Sequence, residues 1–589
     1  MNDFIFGTLS TEELRREWAL GQRRGIVHKN HRMPRDPGPG QSVQVWLTAG
    51  PAEIGEKAWL YWTNDGSDPV GHNGESINGF AEPMKIDGIT WDTELWGYVR
   101  RFSAAIPGQS EDTIIRYRMS LDRGAAGEAF AENDTTWAYY VAEDPTPAWA
   151  RDAIIYHIFV DRFNPGVEQT WLNPPQLDGF FGGRIRGITE KLDTIQNVGF
   201  NTLWLSPIFP SPSHHGYDAT NLYSVEPRLG SLEDLQGLIQ ACHARGMRLL
   251  LDFVPNHWSN LHPTFQDAVR NPDSPYREWY HFDPWPEEYN SFFGVKSLPQ
   301  VNLDHPDARK HMIGAACYWL EQGVDGFRLD YAIGPVQNFW ADFRQQTRKI
   351  NPACWTFGEV VDPPDEQLAF EGLLDGCLDF LLLEAIRQTM AFQTWPVQKF
   401  ASFLDRHESY FPDSFSRPSF LDNHDMNRFL WTVEGNVSKL KLAALCQFSL
   451  SGAPIVYYGT EVGLSQERDI RQGDRGIMEE ARLPMLWGGK QNQDLLGYYS
   501  RLAAVRNDYR CLRTGQRSTN FVDDQMLVYT REEGAQKLWI VLNLGPGQRD
   551  YSPPGIWKKV IMSSGELRID DKSVGGSIQL EGWSGAILE

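Results

Sequence analysis

Residues 231–257 read SLEDLQGLIQACHARGMRLLLDFVPNH. Ser231 followed by Glu233 and Asp234 is a helix start: a short side-chain oxygen satisfies a free N–H, and acid complements the positive helix end. Leu235, Leu238, Ile239 and Cys242 then fall on one face at helical spacing, and Arg245-Gly246 ends the helix. Residues 248–254 form a short apolar run interrupted only by Asp252 near its end, and Pro255, Asn256 and His257 come directly after it. A run this uniformly apolar suits a strand of a parallel sheet that is covered on both faces.

The same helix-and-strand unit recurs outward in both directions. Apolar strand runs lie at 153–160, 202–208, 248–254, 326–332, 355–361, 378–383, 418–423 and 454–459, with amphipathic helical stretches between them. Eight such repeats predict an α/β fold, a (β/α)8 TIM barrel over residues 148–510, with its reactive groups at the carboxyl ends of the strands. The long interval after the third strand holds Trp279-Tyr280-His281-Phe282-Asp283-Pro284-Trp285-Pro286, which predicts an inserted subdomain at 258–304 over the barrel mouth. Short β-rich runs and turns such as Asn64-Asp65-Gly66 predict an N-terminal β-sandwich at 42–147, bounded by Asp144-Pro145-Thr146-Pro147. Alternating runs return at 511–589 and predict a C-terminal β-sandwich. Residues 1–41 read as an N-terminal helix, opened by a Ser10-x-x-Glu13 capping box, and a Pro-, Gly- and Arg-rich linker arm.

The chain has 589 residues, 41% hydrophobic and 22% charged, with a net charge of −22. That field repels phosphate backbones and anionic lipid, so neither nucleic acid nor membrane is an expected partner. The six cysteines show no CxxC pairing and read as buried free thiols. Residues 1–7 carry neither a basic leader nor an apolar core, and a cytoplasmic location is expected.

Ionisable residues gather at the strand ends: Asp252 with His257, Arg328 with Asp330, Glu359, and Asp422-Asn423-His424-Asp425. A barrel brings these ends to one mouth. Crowded carboxylates raise at least one proton affinity while an Arg holds another ionised, which supplies an acid and a nucleophile together. Glycoside cleavage needs that pair.

These four motifs, with Gly199-Phe200-Asn201-Thr202-Leu203-Trp204-Leu205-Ser206-Pro207 and Gly452-Ala453-Pro454-Ile455-Val456-Tyr457-Tyr458-Gly459-Thr460-Glu461, resemble the α-amylase family of glycoside hydrolases. Phe180-Phe181-Gly182-Gly183 resembles its neopullulanase, cyclomaltodextrinase and maltogenic amylase branch. The resemblance implies Asp330 as nucleophile, Glu359 as general acid and base, and Asp425 as the third catalytic carboxylate, binding sugar hydroxyls. It implies Tyr217, Asp218, His257, Arg328, His424 and Arg428 as substrate-binding residues, with Asp252 bracing Arg328 from behind. The implied reaction is retaining, endo-acting hydrolysis of α-1,4-glucosidic bonds, with α-1,6 bonds left open, in maltooligosaccharides, cyclodextrins or starch- and glycogen-type glucans. The acid pair would stand about 5 to 5.5 Å apart.

No cofactor is required by this chemistry. Arg184 stands where the branch often has a calcium-binding Asp, and a guanidinium opposes a hard cation; Asn256 leaves open a different calcium site. A 4-α-glucanotransferase on the same scaffold and a non-catalytic glycan-binding protein are the alternatives. Trp279, Trp285, Trp340 and Trp431 are candidate sugar-stacking rings near the mouth. Residues 42–147 read as a module for glycan binding or for a homodimer.

Overall fold

The computed structural model describes residues 12–143, 145–167, 169–471, 478–553, 557–569 and 576–589. Ser10 of the expected capping box lies outside the described residues; the helix itself runs Glu12–Gly21.

The centre is a parallel sheet of β1 (Ile155–Ile158), β2 (Thr202–Leu205), β3 (Arg248–Phe253), β4 (Gly326–Leu329), β5 (Trp355–Gly358), β6 (Gly376–Cys377), β7 (Ser419–Phe420) and β8 (Pro454–Tyr457). Their order is β6-β5-β4-β3-β2-β1-β8-β7, and a parallel bridge from Gly376 to Ser416 joins its two ends. The result is a (β/α)8 barrel. All four residues of β2, β4, β5 and β8 are buried, as strands covered on both faces require. The helix Leu232–His243 forms as its sequence dictates: Ser231 accepts from the Asp234 N–H in a capping box, and Leu235, Leu238, Ile239 and Cys242 are buried.

Two readings of the sequence are corrected. The expected sixth strand at 378–383 is instead a helix, Phe380–Ile386, and the strand is the shorter Gly376–Cys377 before it. Asp379 decides this by accepting from the Leu382 N–H at 2.9 Å as an N-cap. An unbroken apolar run has no periodicity to separate a buried strand from a buried helix. The arm before residue 42 is no free linker either. Ile26–Val27 and Arg32–Met33 pair antiparallel with Val43–Ala49, and Asn30 donates to the Ala369 carbonyl of the barrel at 2.7 Å.

Residues 26–141 form a nine-stranded antiparallel sheet with a core of its own that includes Val45, Leu47, Leu60, Phe102 and Tyr117. It is tied to the barrel helix Gln337–Ile350, where Arg116 pairs with Asp342 at 2.6 Å and Asn338 donates to the Thr136 carbonyl. Between β3 and β4 come the helices Pro263–Arg270 and Pro306–Glu321, separated by two single-turn helices and by bridges Phe282 to Tyr289 and Ser291 to Pro299. After the barrel lie a five-stranded and a three-stranded antiparallel sheet around Met526, Val528, Val541 and Ile578. Five cysteines are buried and Cys317 is half-buried, all unpaired. Among the described residues no helix is long and apolar enough to cross a membrane.

Candidate active site

Strand register builds the site. Asp252 of β3 pairs with Arg328 of β4, and Leu329 pairs with Gly358 of β5, so Asp330 and Glu359 emerge side by side one residue later. The ladder continues through them: the Asp330 N–H donates to the Phe253 carbonyl at 2.9 Å and the Glu359 N–H to the Leu329 carbonyl at 2.8 Å. Arg328 and Asp330, two apart, share one face of the strand.

Arg328 is the hub and is fully buried. Its Nη1 donates to Asp252 Oδ1 at 2.8 Å and to Asp330 Oδ1 at 2.7 Å. Its Nη2 lies 2.7 Å from Glu359 Oε1, an ion contact without hydrogen-bond alignment. The second oxygen of Asp252 accepts from the Tyr217 hydroxyl at 2.9 Å and from Trp204 Nε1 at 3.2 Å. That hydroxyl also lies 2.7 Å from His424 Nε2, and the Tyr217 and His424 rings are nearly parallel at 5.2 Å. His424 in turn sits 2.9 Å from Asp425. One polar network therefore joins Asp252, Arg328, Asp330, Glu359, Tyr217, His424 and Asp425.

Burial shifts these groups apart. It raises the Glu359 carboxyl to about 8, further than Arg328 pulls it down, and the charges of Asp330 and Asp425 add to the rise. Burial also raises Asp330, opposed by its hydrogen-bonded Arg328, and raises Asp252 to about 7. Asp425 goes the other way: burial would lift it, but His424 and Arg482 hold it well below the usual carboxylate range. Burial keeps His257 and His424 neutral, at about 3 and about 4. At neutral pH the site therefore holds a protonated Glu359 and an ionised Asp425.

His257 stacks on Phe292 with ring centres 4.4 Å apart. Phe292, Phe293 and Tyr331 make mutual ring contacts beside it. Phe293 is exposed, and Phe293 and Tyr331 both hold φ above +40°, a costly conformation for bulky side chains that clusters at functional sites. Sequence reading missed this aromatic wall, and φ leaves no trace in composition.

Two residues fall elsewhere. Arg428 is fully buried and donates to the Ala481 and Tyr458 carbonyls. The Asp218 carboxylate accepts from the Ser211 and Ser213 hydroxyls and holds its own loop. Trp340 is fully buried, with Nε1 on the Ala332 carbonyl, and Trp279 is also core. Trp285 and Trp431 are half-buried. Arg482 is the chief residue absent from the sequence reading. Its Nη2 donates to Asp425 Oδ1 at 3.0 Å.

Asn256 has protein partners at both ends of its amide. Its Oδ1 already accepts from Gln300 and its amide meets His257 Nδ1 at 3.1 Å. Among the described residues no group of three or more His, Cys, Asp or Glu is placed to hold a metal. At the Phe180–Gly183 turn the Phe181 and Gly182 N–H groups donate to the Asp161 carboxylate, which pairs with Arg162.

A buried carboxyl pair with split proton affinities at a (β/α)8 mouth is the equipment of a glycoside hydrolase. Similarity to known proteins agrees. The family described as alpha amylase, catalytic domain, matches residues 157–498. "Alpha-amylase 2" of Dictyoglomus thermophilum is 35% identical over 489 residues, 82% of this chain and 84% of that protein. A cyclomaltodextrinase of a Bacillus species is 32% identical over 420 residues, 67% of this chain and 73% of that protein. The solved cyclic α-maltosyl-(1→6)-maltose hydrolase of Arthrobacter globiformis superposes with a TM-score of 0.66 at 30% identity, covering 75% of this chain and 99% of that one. The chain belongs to the α-amylase family and is a glycoside hydrolase.

Proposed function

We propose that the chain hydrolyses α-1,4-glucosidic bonds, and α-1,6 bonds as a second specificity, in cyclodextrins, maltooligosaccharides and related glucans, with retention of configuration. The observation that carries this is Arg328, which touches Asp252, Asp330 and Glu359 together and so ties the two reacting carboxyls into one frame. In the first step an oxygen of Asp330 bonds to the anomeric carbon as the glycosidic C–O bond breaks, and the Glu359 proton passes to the leaving oxygen. In the second step the Glu359 carboxylate takes a proton from water, whose oxygen bonds to the same carbon and releases Asp330. Two displacements at one carbon retain the α configuration. Asp425, ionised, accepts from sugar hydroxyls; Tyr217, His257 and His424 line the cleavage subsite.

The cyclodextrin preference is drawn from similarity to a cyclomaltodextrinase and to a cyclic maltosyl-maltose hydrolase. The relation to an intracellular maltogenic amylase supports a cytoplasmic setting. We further read residues 42–147 and 511–589 as separate sandwich modules, 258–304 as a subdomain over the cleft, and a homodimer through the first module.

Product chromatography tests the reading, with β-cyclodextrin and soluble starch supplied separately at equal glucose content and Asp330→Asn as the blank. Faster ring opening supports the cyclodextrin preference; faster starch cleavage replaces it with an α-amylase-like open cleft. No turnover of either overturns the proposal.

A further inference from the structure

Ser416 and Arg417 come just before β7, and Ser451, Gly452 and Ala453 just before β8, so they lie at the amino ends of the strands, the end away from Asp330 and Glu359. They line a cavity of about 590 Å³. Its other walls are the helices Ala148–Arg151 and Val397–Tyr410 and the first two strands after the barrel, Gln516–Val522 and Met526–Glu533. That volume falls within the roughly 300–1,000 Å³ of small-molecule sites.

Arginine dominates the charge of this cavity. Arg151, Arg417, Arg513, Arg517 and Arg531 line it against three carboxylates, Asp405, Glu408 and Asp413. A chain with a net charge of −22 repels anions over most of its surface, and here the sign is reversed.

The arginines divide by what they hold. Arg517 pairs with Asp405 at 2.6 Å and with Glu408, Arg531 reaches the same Glu408 at 3.3 Å, and Arg513 pairs with Asp152 at 2.7 Å. The Asp405 and Glu408 pairs fasten the strands after the barrel to the helix Val397–Tyr410. Arg151 and Arg417 differ, for among the described residues neither pairs with a carboxylate within 4.0 Å. Arg151 donates to the Asp413 carbonyl at 3.5 Å; Arg417 donates to the His407 carbonyl at 3.3 Å and rests 4.8 Å from the centre of the Phe411 ring. The charge of Arg417 reaches Asp379 from further off, but His407 already pairs with that carboxylate. Of the carboxylates in the lining, Asp405 and Glu408 are neutralised and Asp413 is exposed to water. Two guanidinium groups are therefore steadied by carbonyl oxygens while their charge stays uncompensated.

We propose that this cavity binds a small sugar phosphate, with Arg151 and Arg417 holding the phosphate, apart from the carboxylate site and independently of the reaction proposed above. The planar guanidinium fork matches phosphate oxygens two at a time. A phosphomonoester carries about −1.5 to −2 at pH 7, and the arginines of the lining exceed its carboxylates by that amount. The volume exceeds what a lone phosphate fills, and Ser414, Ser416 and Ser451 in the same lining offer hydroxyls to a sugar.

Isothermal titration calorimetry of the full chain tests this with glucose 6-phosphate, which has no glycosidic bond for the carboxylates to cleave. It should bind at one site per chain, and Arg151→Gln and Arg417→Gln should each weaken it about tenfold. Both variants should hydrolyse maltotriose within about twofold of the parent rate, since neither residue touches the carboxylate network. Arg151 is exposed, so its variant keeps the test readable if Arg417→Gln fails to fold. No binding at millimolar ligand, or binding that survives both substitutions, overturns the site. Glucose bound as tightly as glucose 6-phosphate would remove the phosphate from the recognition, and inorganic phosphate bound as tightly would remove the sugar; either result overturns the proposal.

Discussion

Arg482 holds the third carboxylate and the backbone just before it: Nη2 donates to Asp425 Oδ1 at 3.0 Å and Nε to the His424 carbonyl at 2.9 Å. The guanidinium is itself buried, so the pair sits where a lone carboxylate would take up a proton. Asp425 is held far below its ordinary value, and the groups responsible, once burial is overcome, are His424, Arg482 and Arg328.

Arg482→Lys should therefore lower kcat/KM by about 10²-fold and Arg482→Ala by about 10³-fold, because an unpaired buried carboxylate costs about 3–5 kcal/mol. The direction of the pH change is fixed by the sign of the shift. Asp425 loses a group that keeps it ionised, so its proton affinity rises, and the acid limb of kcat/KM moves to higher pH once Asp425 takes up its proton more readily than Asp330. The pH profile and rate of Arg482→Ala check this, and a kcat/KM within about twofold of the parent at every pH would count against the role.

Asp330→Asn keeps the shape of the side chain and its bond from Arg328 while removing the nucleophilic oxygen. Turnover of maltooligosaccharides should fall by roughly 10⁴-fold or more, with the thermal transition within a few degrees of the parent. Rate assays beside calorimetry decide the matter. Activity within 10²-fold of the parent would refute the nucleophile assignment.

The barrel was legible because seven of its eight strands are apolar runs that end in polar residues, a pattern with a physical cause in burial on both faces. The remaining run, Phe380-Leu381-Leu382-Leu383, is apolar whichever way it folds, and the deciding residue is the capping Asp379 before it. Within the site, residues at strand ends could be placed from sequence because strand register carries them to the mouth. Arg428 could not be placed, because a motif names a residue type and not the direction of its side chain. Arg482 had no signal: it lies in the single-turn helix Met478–Arg482, outside every repeat, and reaches Asp425 only through the fold.

The Asp379 cap yields a stability prediction. Its carboxylate also contacts His407 at 2.9 Å, and although burial opposes its charge, His407 and the Leu382 N–H keep it below the ordinary carboxylate range. Asp379→Ala should cost about 4–6 kcal/mol, the sum expected for a cap and a broken buried pair. A folded-state value below the unfolded one means that this stabilisation is present above about pH 4 and is lost as pH falls through the folded value. Urea unfolding at pH 7 and pH 3 measures both. An equal difference between the two proteins at both pH values would show that the charge of Asp379 is not what stabilises the helix.

Glu359 sets the opposite limb. Burial, aided by the charges of Asp330 and Asp425, raises its carboxyl to about 8, so it keeps its proton at neutral pH and loses it as pH rises through about 8. A general acid acts only while protonated, so kcat/KM for a substrate with a poor leaving group should fall above about pH 8. A substrate whose leaving group needs no proton, such as an α-maltosyl fluoride, should lose that limb, since breaking its bond asks nothing of Glu359. Glu359→Gln separates the two: hydrolysis of maltooligosaccharides drops by about 10³-fold or more, while release of fluoride falls far less. Both pH profiles can be recorded on one preparation. An alkaline limb near 4.5 in the parent, or one of equal height with both substrates, would remove Glu359 from the acid role.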